Sequence, residues 1–201
     1  MKIFITSLLA IVGLTTACGK QPKDTYEVDV FKTKNGKEVK FHALMHSSIR
    51  IEYDGKEIQI DPCAKLRDRT VDYTVMPKAD YLFVTHEHFD HFDKEAIKQL
   101  TGEKTQLITN KRCADMLGYG QIMVNGQRST LNDITVEAVP AYNTTEGHLQ
   151  FHPKGRDNGF SVFGNPYDMI LQRVNISTTM RNIFRQSKIN IFIHILIIPY
   201  V

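Results

Sequence analysis

The densest group of metal-binding residue types in this chain directly follows an apolar run, with three histidines and an aspartate in six positions. The run, residues 81–85, is aromatic and β-branched and predicts a short buried strand. The histidines begin where the run stops, so we expect them in a loop at the end of that strand. A turn there would let His86 and His88 face one cation while Asp90 and His91 face a second.

Imidazole nitrogens and a carboxylate suit borderline divalent metals such as zinc. The group contains no cysteine, and an open ligand set without sulfur is more typical of a catalytic site than of a structural one. A metal ion in such a site lowers the pKa of water and supplies the nucleophile of a hydrolase. The alternative is a solvated surface loop, but the ordered spacing directly after a strand favours the metal site.

The run Thr85-His86-Glu87-His88-Phe89-Asp90-His91 resembles the H-x-H-x-D-H signature of the metallo-β-lactamase superfamily. The resemblance continues on both sides. Residues 46–51 and Asp61-Pro62 are similar to the segments before the signature in the lactonase-like and phosphodiesterase-like branch. Residues 141–143, 151–155 and 158–160 are similar to the next histidine-bearing segment of that branch. The family implies a mixed α/β fold, an αββα sandwich, over residues 40–160.

The family's first metal takes the first two histidines of the signature and one later histidine. The resemblance therefore implies His86, His88 and, of two candidates, His152 rather than His148. His152 lies in the Phe-His-Pro-Lys-Gly run that matches the family, whereas His148 lies in a looser stretch. We expect one or two Zn²⁺ ions, with other divalent metals such as Mn²⁺ as alternatives.

The resemblance assigns Asp90 and His91 to the second metal. Asp90 is also the candidate catalytic residue, because a carboxylate beside the attacking water can orient it or take its proton. Asp61 and His46 are candidates for bracing the ligand imidazoles, with a strand cap and an ordinary histidine as the alternatives.

Three polar residues, Tyr142, Asn143 and Lys154, are candidates for contacting an anionic substrate. Loop polarity alone would also place such residues there, so the alternative is a solvated loop.

The chain departs from the family pattern after Phe160. Relatives continue with an aspartate that bridges the two metals and, much later, a histidine that closes the second site. Asp168 lies too close to Phe160 and lacks the flanking glycine, and His194 lies in an apolar run, so we take neither as a ligand. On this interpretation the second site keeps only Asp90 and His91.

The codons permitted by residues 180–188, read one nucleotide earlier, encode a peptide similar to the segment after the bridging aspartate in relatives. We therefore interpret residues 161–201 as a divergent tail produced by a frameshift near residues 160–170, with a genuine divergent segment as the alternative. The expected sandwich is then incomplete at its C-terminal end.

The first residues have the order of a bacterial secretory signal: a basic start, an apolar stretch and small residues up to Ala17. Cys18 follows as the lipidated cysteine of a lipoprotein does, although Thr15 stands where leucine is usual. We expect a signal peptide over residues 1–17, a tether over 18–24 and anchoring of lipidated Cys18 at a membrane surface of the cell envelope. Ordinary cleavage to a soluble periplasmic protein is the alternative.

Composition fits one exported globular domain, which we place at residues 25–160. The chain has 201 residues, 42% of them hydrophobic, and a net charge of +3. Basic and acidic residues are interleaved, so no nucleic acid partner is expected. Cys63 and Cys113 form either a disulfide or two buried thiols.

Hydrophobic periodicity and turn signals predict the elements. Strands are expected at residues 26–32, 38–44, 49–53, 57–60, 81–85, 106–109 and 134–139, and helices at 93–100 and 111–117.

The resulting hypothesis is a zinc-dependent hydrolase that uses metal-activated water on a small ester, lactone or phosphodiester. The alternative is a truncated, catalytically inactive lipoprotein that retains at most one metal site.

Overall fold

The structure is a computed structural model that describes residues 26–32, 36–144, 146–147 and 149–163. The predicted signal peptide, the tether and Cys18 lie outside the described residues. His148 and the tail from residue 164, with Asp168 and His194, also lie outside them.

Four antiparallel strands form the first part of the fold, and the third of them alternates buried and more exposed side chains. Asp54-Gly55 turns the chain between the third and fourth strands, with both residues at positive φ. The strands are β1 (Glu27–Lys32), β2 (Glu38–Met45), β3 (Ser48–Tyr53) and β4 (Lys56–Ile60).

A short irregular segment follows β4 and leads into the parallel part of the sheet. It contains β5 (Lys65–Leu66), β6 (Arg69–Thr70) and a 3-10 helix (Tyr73–Val75). The parallel strands and their helices then run β7 (Tyr81–Val84), α1 (Lys94–Leu100), β8 (Gln106–Thr109), α2 (Lys111–Leu117) and β9 (Gln121–Ile122).

The two helices begin and end at residues suited to capping. Asp93 accepts hydrogen bonds from the backbone N–H groups of Glu95 and Ala96 at the start of α1. Asn110 caps α2 in the same way, and Gly118 ends α2 in the left-handed conformation.

The first nine strands, except β5 and β6, form one seven-stranded sheet in the order β1-β2-β3-β4-β7-β8-β9. Strands β4, β7, β8 and β9 are parallel neighbours. Their carboxyl ends therefore meet at one edge of the sheet, where loops from separate parts of the chain come together.

A second sheet of three antiparallel strands packs against the first. Its strands are β10 (Arg128–Leu131), β11 (Ile134–Ala141) and β12 (Asp157–Phe163), in that order. The chain between β11 and β12 forms a long loop, so pairing of these two strands fixes both ends of that loop.

Strand β7 has apolar side chains on both faces because both faces are covered. Tyr81 and Phe83 lie in the core between the two sheets, with Phe160 of β12. Leu82 and Val84 point the other way, into a core shared with α1 and with Cys113 of α2. In the described residues the layers are therefore helices, large sheet and small sheet.

Most predicted elements agree with the structure to within one or two residues. The β8 and α2 ranges coincide with the prediction, whereas β11 runs two residues further and β7 ends one residue earlier. Cys63 and Cys113 are separate buried thiols, so the disulfide alternative does not apply. In the part of the chain that the structure describes, no helix has the length and apolar character needed to cross a membrane.

The substitution Leu82→Ala should lower the free energy of unfolding by about 2–5 kcal/mol, because a fully buried leucine leaves a cavity. The matched control is Leu149→Ala at a half-exposed position, where a change within about 0.5 kcal/mol is expected. Urea unfolding of both variants measures the difference, and equal effects would contradict the packing of β7.

Candidate metal centre

The site lies at the carboxyl end of β7, at the edge where the parallel strands stop. Residues 85–91 form the loop after β7, which carries His86 and His88 and then Asp90 and His91. Asp61, which follows β4, lies beside this loop because β4 and β7 are paired and the Asp61 N–H donates to the Phe83 carbonyl.

The first cluster consists of His86, His88 and His152. Each offers one nitrogen, and the three nitrogens lie within 4.8 Å of one another. The ring centroids are 4.6 Å apart for His86 and His88 and 4.7 Å apart for His88 and His152. Thus the loop between β11 and β12 brings His152 to the two histidines that follow β7.

The second cluster consists of His46, Asp90 and His91, whose ligand atoms also lie within 4.8 Å of one another. His46 comes from the turn between β2 and β3. The sequence prediction left only Asp90 and His91 at this position, so the structure adds a third residue. The two clusters are neighbours, because the His86 and His91 ring centroids are 4.0 Å apart.

The Asp61 carboxylate orients one imidazole of each cluster. His91 Nδ1 lies 2.8 Å from Asp61 Oδ2, and Thr85 Oγ1 donates to the same oxygen at 2.7 Å. Because the Thr85 hydroxyl donates its proton to Asp61, it accepts a hydrogen bond from His86 Nδ1 at 2.9 Å. Both rings therefore carry their proton on Nδ1 and keep the Nε2 lone pair free.

Asp157 orients His152 in the same way. Its Oδ2 lies 2.8 Å from His152 Nδ1, and both side chains are almost fully buried. A carboxylate only accepts hydrogen bonds, so Nδ1 carries the proton and Nε2 is the ligand atom. Asp157 is the first residue of β12, which places it opposite the end of β11.

The pKa values of two clustered imidazoles favour the neutral, metal-binding form. Burial, helped by the charges of His91 and His88, lowers the pKa of His86 to about 2. Burial and the nearby His152 also lower the pKa of His88. Burial opposes ionisation of Asp90, but its hydrogen bond to His46 and the charges of His91 and His46 outweigh it, so its pKa lies well below the usual range.

Arg156 clamps the loop that carries His152. Its Nε donates to Asp157 Oδ1 at 2.8 Å, and one Nη donates to the Phe151 carbonyl at 2.6 Å. The same Nη lies 3.9 Å from Oε1 of Glu87, the residue that stands between His86 and His88 in the sequence. Arg112 of α2 approaches Glu87 from another side at 3.2 Å. The guanidinium of Arg156 thus connects both loops of the first cluster.

Other residues of the two loops lie close in the chain to the clustered histidines. The backbone N–H of Asn143 donates to the His152 carbonyl at 3.0 Å, and Lys154 Nζ lies 5.7 Å from the centre of the Tyr142 ring. The Phe89 side chain, next to His88, is 75% exposed. The three residues predicted to contact a substrate, Tyr142, Asn143 and Lys154, thus lie on the loop that carries His152.

The structure brings together all five residues predicted as metal ligands, in two adjacent groups. Sequence reasoning missed Asp157, Arg156 and Thr85, which hold those residues by hydrogen bonds. Asp157 alone had a local signal, since it is an acidic residue close after His152 and directly before the family-like residues 158–160.

Comparison with known proteins connects this geometry to a family. Residues 40–167 match the beta-lactamase superfamily domain. Over 99 residues the chain is 32% identical to a UPF0173 protein of Pyrococcus abyssi, a match that covers 46% of this chain and 44% of that protein.

The structure is similar to that of a candidate metal-dependent hydrolase from Parabacteroides distasonis, with 39% identity and a TM-score of 0.65. That match covers 70% of this chain and 63% of the other. A more distant likeness, at 24% identity and a TM-score of 0.49, is to the metallo hydrolase Igni18 of Ignicoccus hospitalis, covering 63% of this chain and 56% of that one. The chain thus spans less than two thirds of each of these relatives.

The substitution Arg156→Gln should lower the free energy of unfolding by about 1–3 kcal/mol, because it leaves the buried Asp157 carboxylate short of hydrogen bonds. Amide hydrogen exchange in residues 151–158 should become faster. Arg112→Gln removes a mostly exposed partner of Glu87 and should cost at most about 1 kcal/mol without changing that exchange. Identical exchange in the two variants would contradict the clamp.

Proposed function

The chain belongs to the beta-lactamase superfamily, and from this premise we propose that it is a metal-dependent hydrolase whose cations are held by the two clusters. The observation that carries the proposal is the convergence of His86, His88 and His152 at the end of β7. Zinc is the proposed metal, since it accepts three imidazoles and leaves a coordination position open. Manganese is the alternative.

Two buried nitrogens support the fit of a cation to these residues. His86 Nε2 and His91 Nε2 are both buried and have no hydrogen-bond partner. Buried polar atoms in folded proteins are nearly always satisfied, so each such atom needs an explanation. Because the Nδ1 atoms are held by Thr85 and Asp61, the unpartnered atoms are the two lone pairs that a cation would use.

We propose that His86, His88 and His152 hold the first cation and that Asp90 and His91 contribute to the second. A bound divalent cation lowers the pKa of water and polarises the carbonyl or phosphoryl oxygen of a substrate. Asp90 is proposed to orient the attacking water and to accept its proton, because its lowered pKa favours the carboxylate and it belongs to the second cluster, which adjoins the first.

The proposed substrate is a small ester, lactone or phosphodiester. A shared fold does not choose between these, because one metal centre serves several reactions in related proteins. We propose that the substrate is anionic or carries an apolar group. The support is that Lys154 and Tyr142 lie on the His152 loop and that Phe89 is exposed beside His88.

We further propose export to the cell envelope, with lipidated Cys18 attached to a membrane surface. The support is the order of residue types in the first eighteen positions. Metabolic labelling with a fatty acid, compared between the parent and Cys18→Ala, tests this proposal.

Metal analysis by mass spectrometry should separate the two candidate third ligands. We expect His152→Ala to lose about one equivalent of zinc, because it removes a ligand of the first cluster. His148→Ala should keep the zinc content of the parent, measured on the full chain in mild detergent. Loss of zinc from the His148 variant alone would reverse the assignment, and a parent without metal would contradict the proposed function.

Hydrolysis of three model substrates tests the activity: a nitrophenyl ester, an unsubstituted γ-lactone and bis(p-nitrophenyl) phosphate. We expect turnover of at least one of them, loss of turnover with a chelator and recovery with zinc. His88→Ala should lower the rate by about 100-fold or more, because it removes a proposed ligand. Turnover that survives both the chelator and the His88 substitution would contradict a metal-dependent reaction.

A further inference from the structure

We infer that His46 is a metal ligand and that it completes a second cation site with Asp90 and His91. This inference rests on the proposed function. The three ligand atoms belong to described residues and lie within 4.8 Å of one another. Three residues within the described part of the chain are therefore enough to form this site.

The spacing of the ligand atoms suits a cation. His46 Nε2 lies 3.2 Å from Asp90 Oδ2. Two ligand atoms bound at about 2.0–2.2 Å to a tetrahedral zinc lie about 3.3–3.6 Å apart. The observed separation is close to this range, so one cation can contact both atoms with little movement of either side chain.

A buried nitrogen of His91 independently indicates that a cation binds at the second cluster. The residue is 1% exposed and its Nε2 has no hydrogen-bond partner. Its Nδ1 is held by Asp61 and by the hydroxyl of Ser47 at 2.9 Å, so the ring cannot turn to satisfy Nε2. The His46 ring meets the His91 ring edge to face, with centroids 5.1 Å apart.

The β2–β3 turn holds His46 beside the second cluster in a left-handed backbone conformation. His46 has φ of 51°, in the region where histidine, asparagine and aspartate occur more often than most other non-glycine residues. The Ser47 hydroxyl lies 2.9 Å from His91 Nδ1, and the Ser48 hydroxyl donates to the Asp61 carbonyl. These two side chains therefore fix the turn against the site.

Cobalt titration of the full chain tests the inference through the spectrum of the metal. The parent should bind two equivalents. His46→Asn, which tolerates the left-handed backbone, should weaken binding of the second equivalent by about 100-fold or more, because loss of a ligand should cost at least as much as loss of a supporting partner. His46→Glu offers a ligand oxygen at about the same distance from the backbone and should restore the second equivalent.

The proton NMR spectrum of the cobalt-loaded protein distinguishes a ligand from a neighbour. An imidazole bound to cobalt gives strongly shifted ring signals, so His46→Asn should lose one set of them. Ser47→Ala is the matched control, because its hydroxyl lies at Nδ1 of His91 and not at the ligand atoms, so all sets of shifted signals should remain.

The outcomes separate the two proposals. Two tight equivalents in His46→Asn, or an unchanged set of shifted imidazole signals in that variant, would overturn the role of His46. One equivalent in the parent would overturn the second site and leave the first cluster intact. No cobalt in the parent would overturn the proposed function itself.

Discussion

The buried carboxylate of Asp61 links the side chains of both clusters. It accepts from His91 directly and from His86 through the Thr85 hydroxyl, while its other oxygen accepts the Thr85 N–H. A fully buried carboxylate is costly unless such partners satisfy it. Because one anion sets the tautomer of two rings, the orientations of the two clusters depend on each other.

The sheet explains how this carboxylate reaches the loop. Strands β4 and β7 are parallel neighbours, so the residues that follow them lie side by side. Asp61 adopts φ of 44° immediately after β4, which turns its side chain under the β7 loop. Asn110, after β8, donates to the Thr85 carbonyl and ties the next strand end to the same loop. Three successive parallel strands thus contribute to one position.

The local parts of this architecture could be predicted from the sequence. The β7 run, the cap of α1 and the Asp54-Gly55 turn depend on near neighbours, and these agree with the structure to within one or two residues. The pairing of Asp157 with His152 depends on the register of β11 and β12, which no local pattern specifies.

His46 shows the same limit. Its distance from Asp90 depends on how a hairpin packs against a loop that is distant in the sequence. Its turn also lacks the Asn-Gly or Asp-Gly pair that indicates a tight hairpin. The extent of the second sheet was also missed, because β10 and the start of β12 are polar strands with few apolar residues.

The loop between β11 and β12 has a consequence for how the molecule matures. His152 reaches the first cluster only after β12 has paired with β11, and β12 is the last strand of the described chain. The three-histidine group therefore cannot form until the chain has been synthesised through β12. Contacts between such distant segments form late and slowly in folding. A cation that selects the finished arrangement would stabilise it by mass action, so metal supply and the lifetime of the folded protein would be coupled.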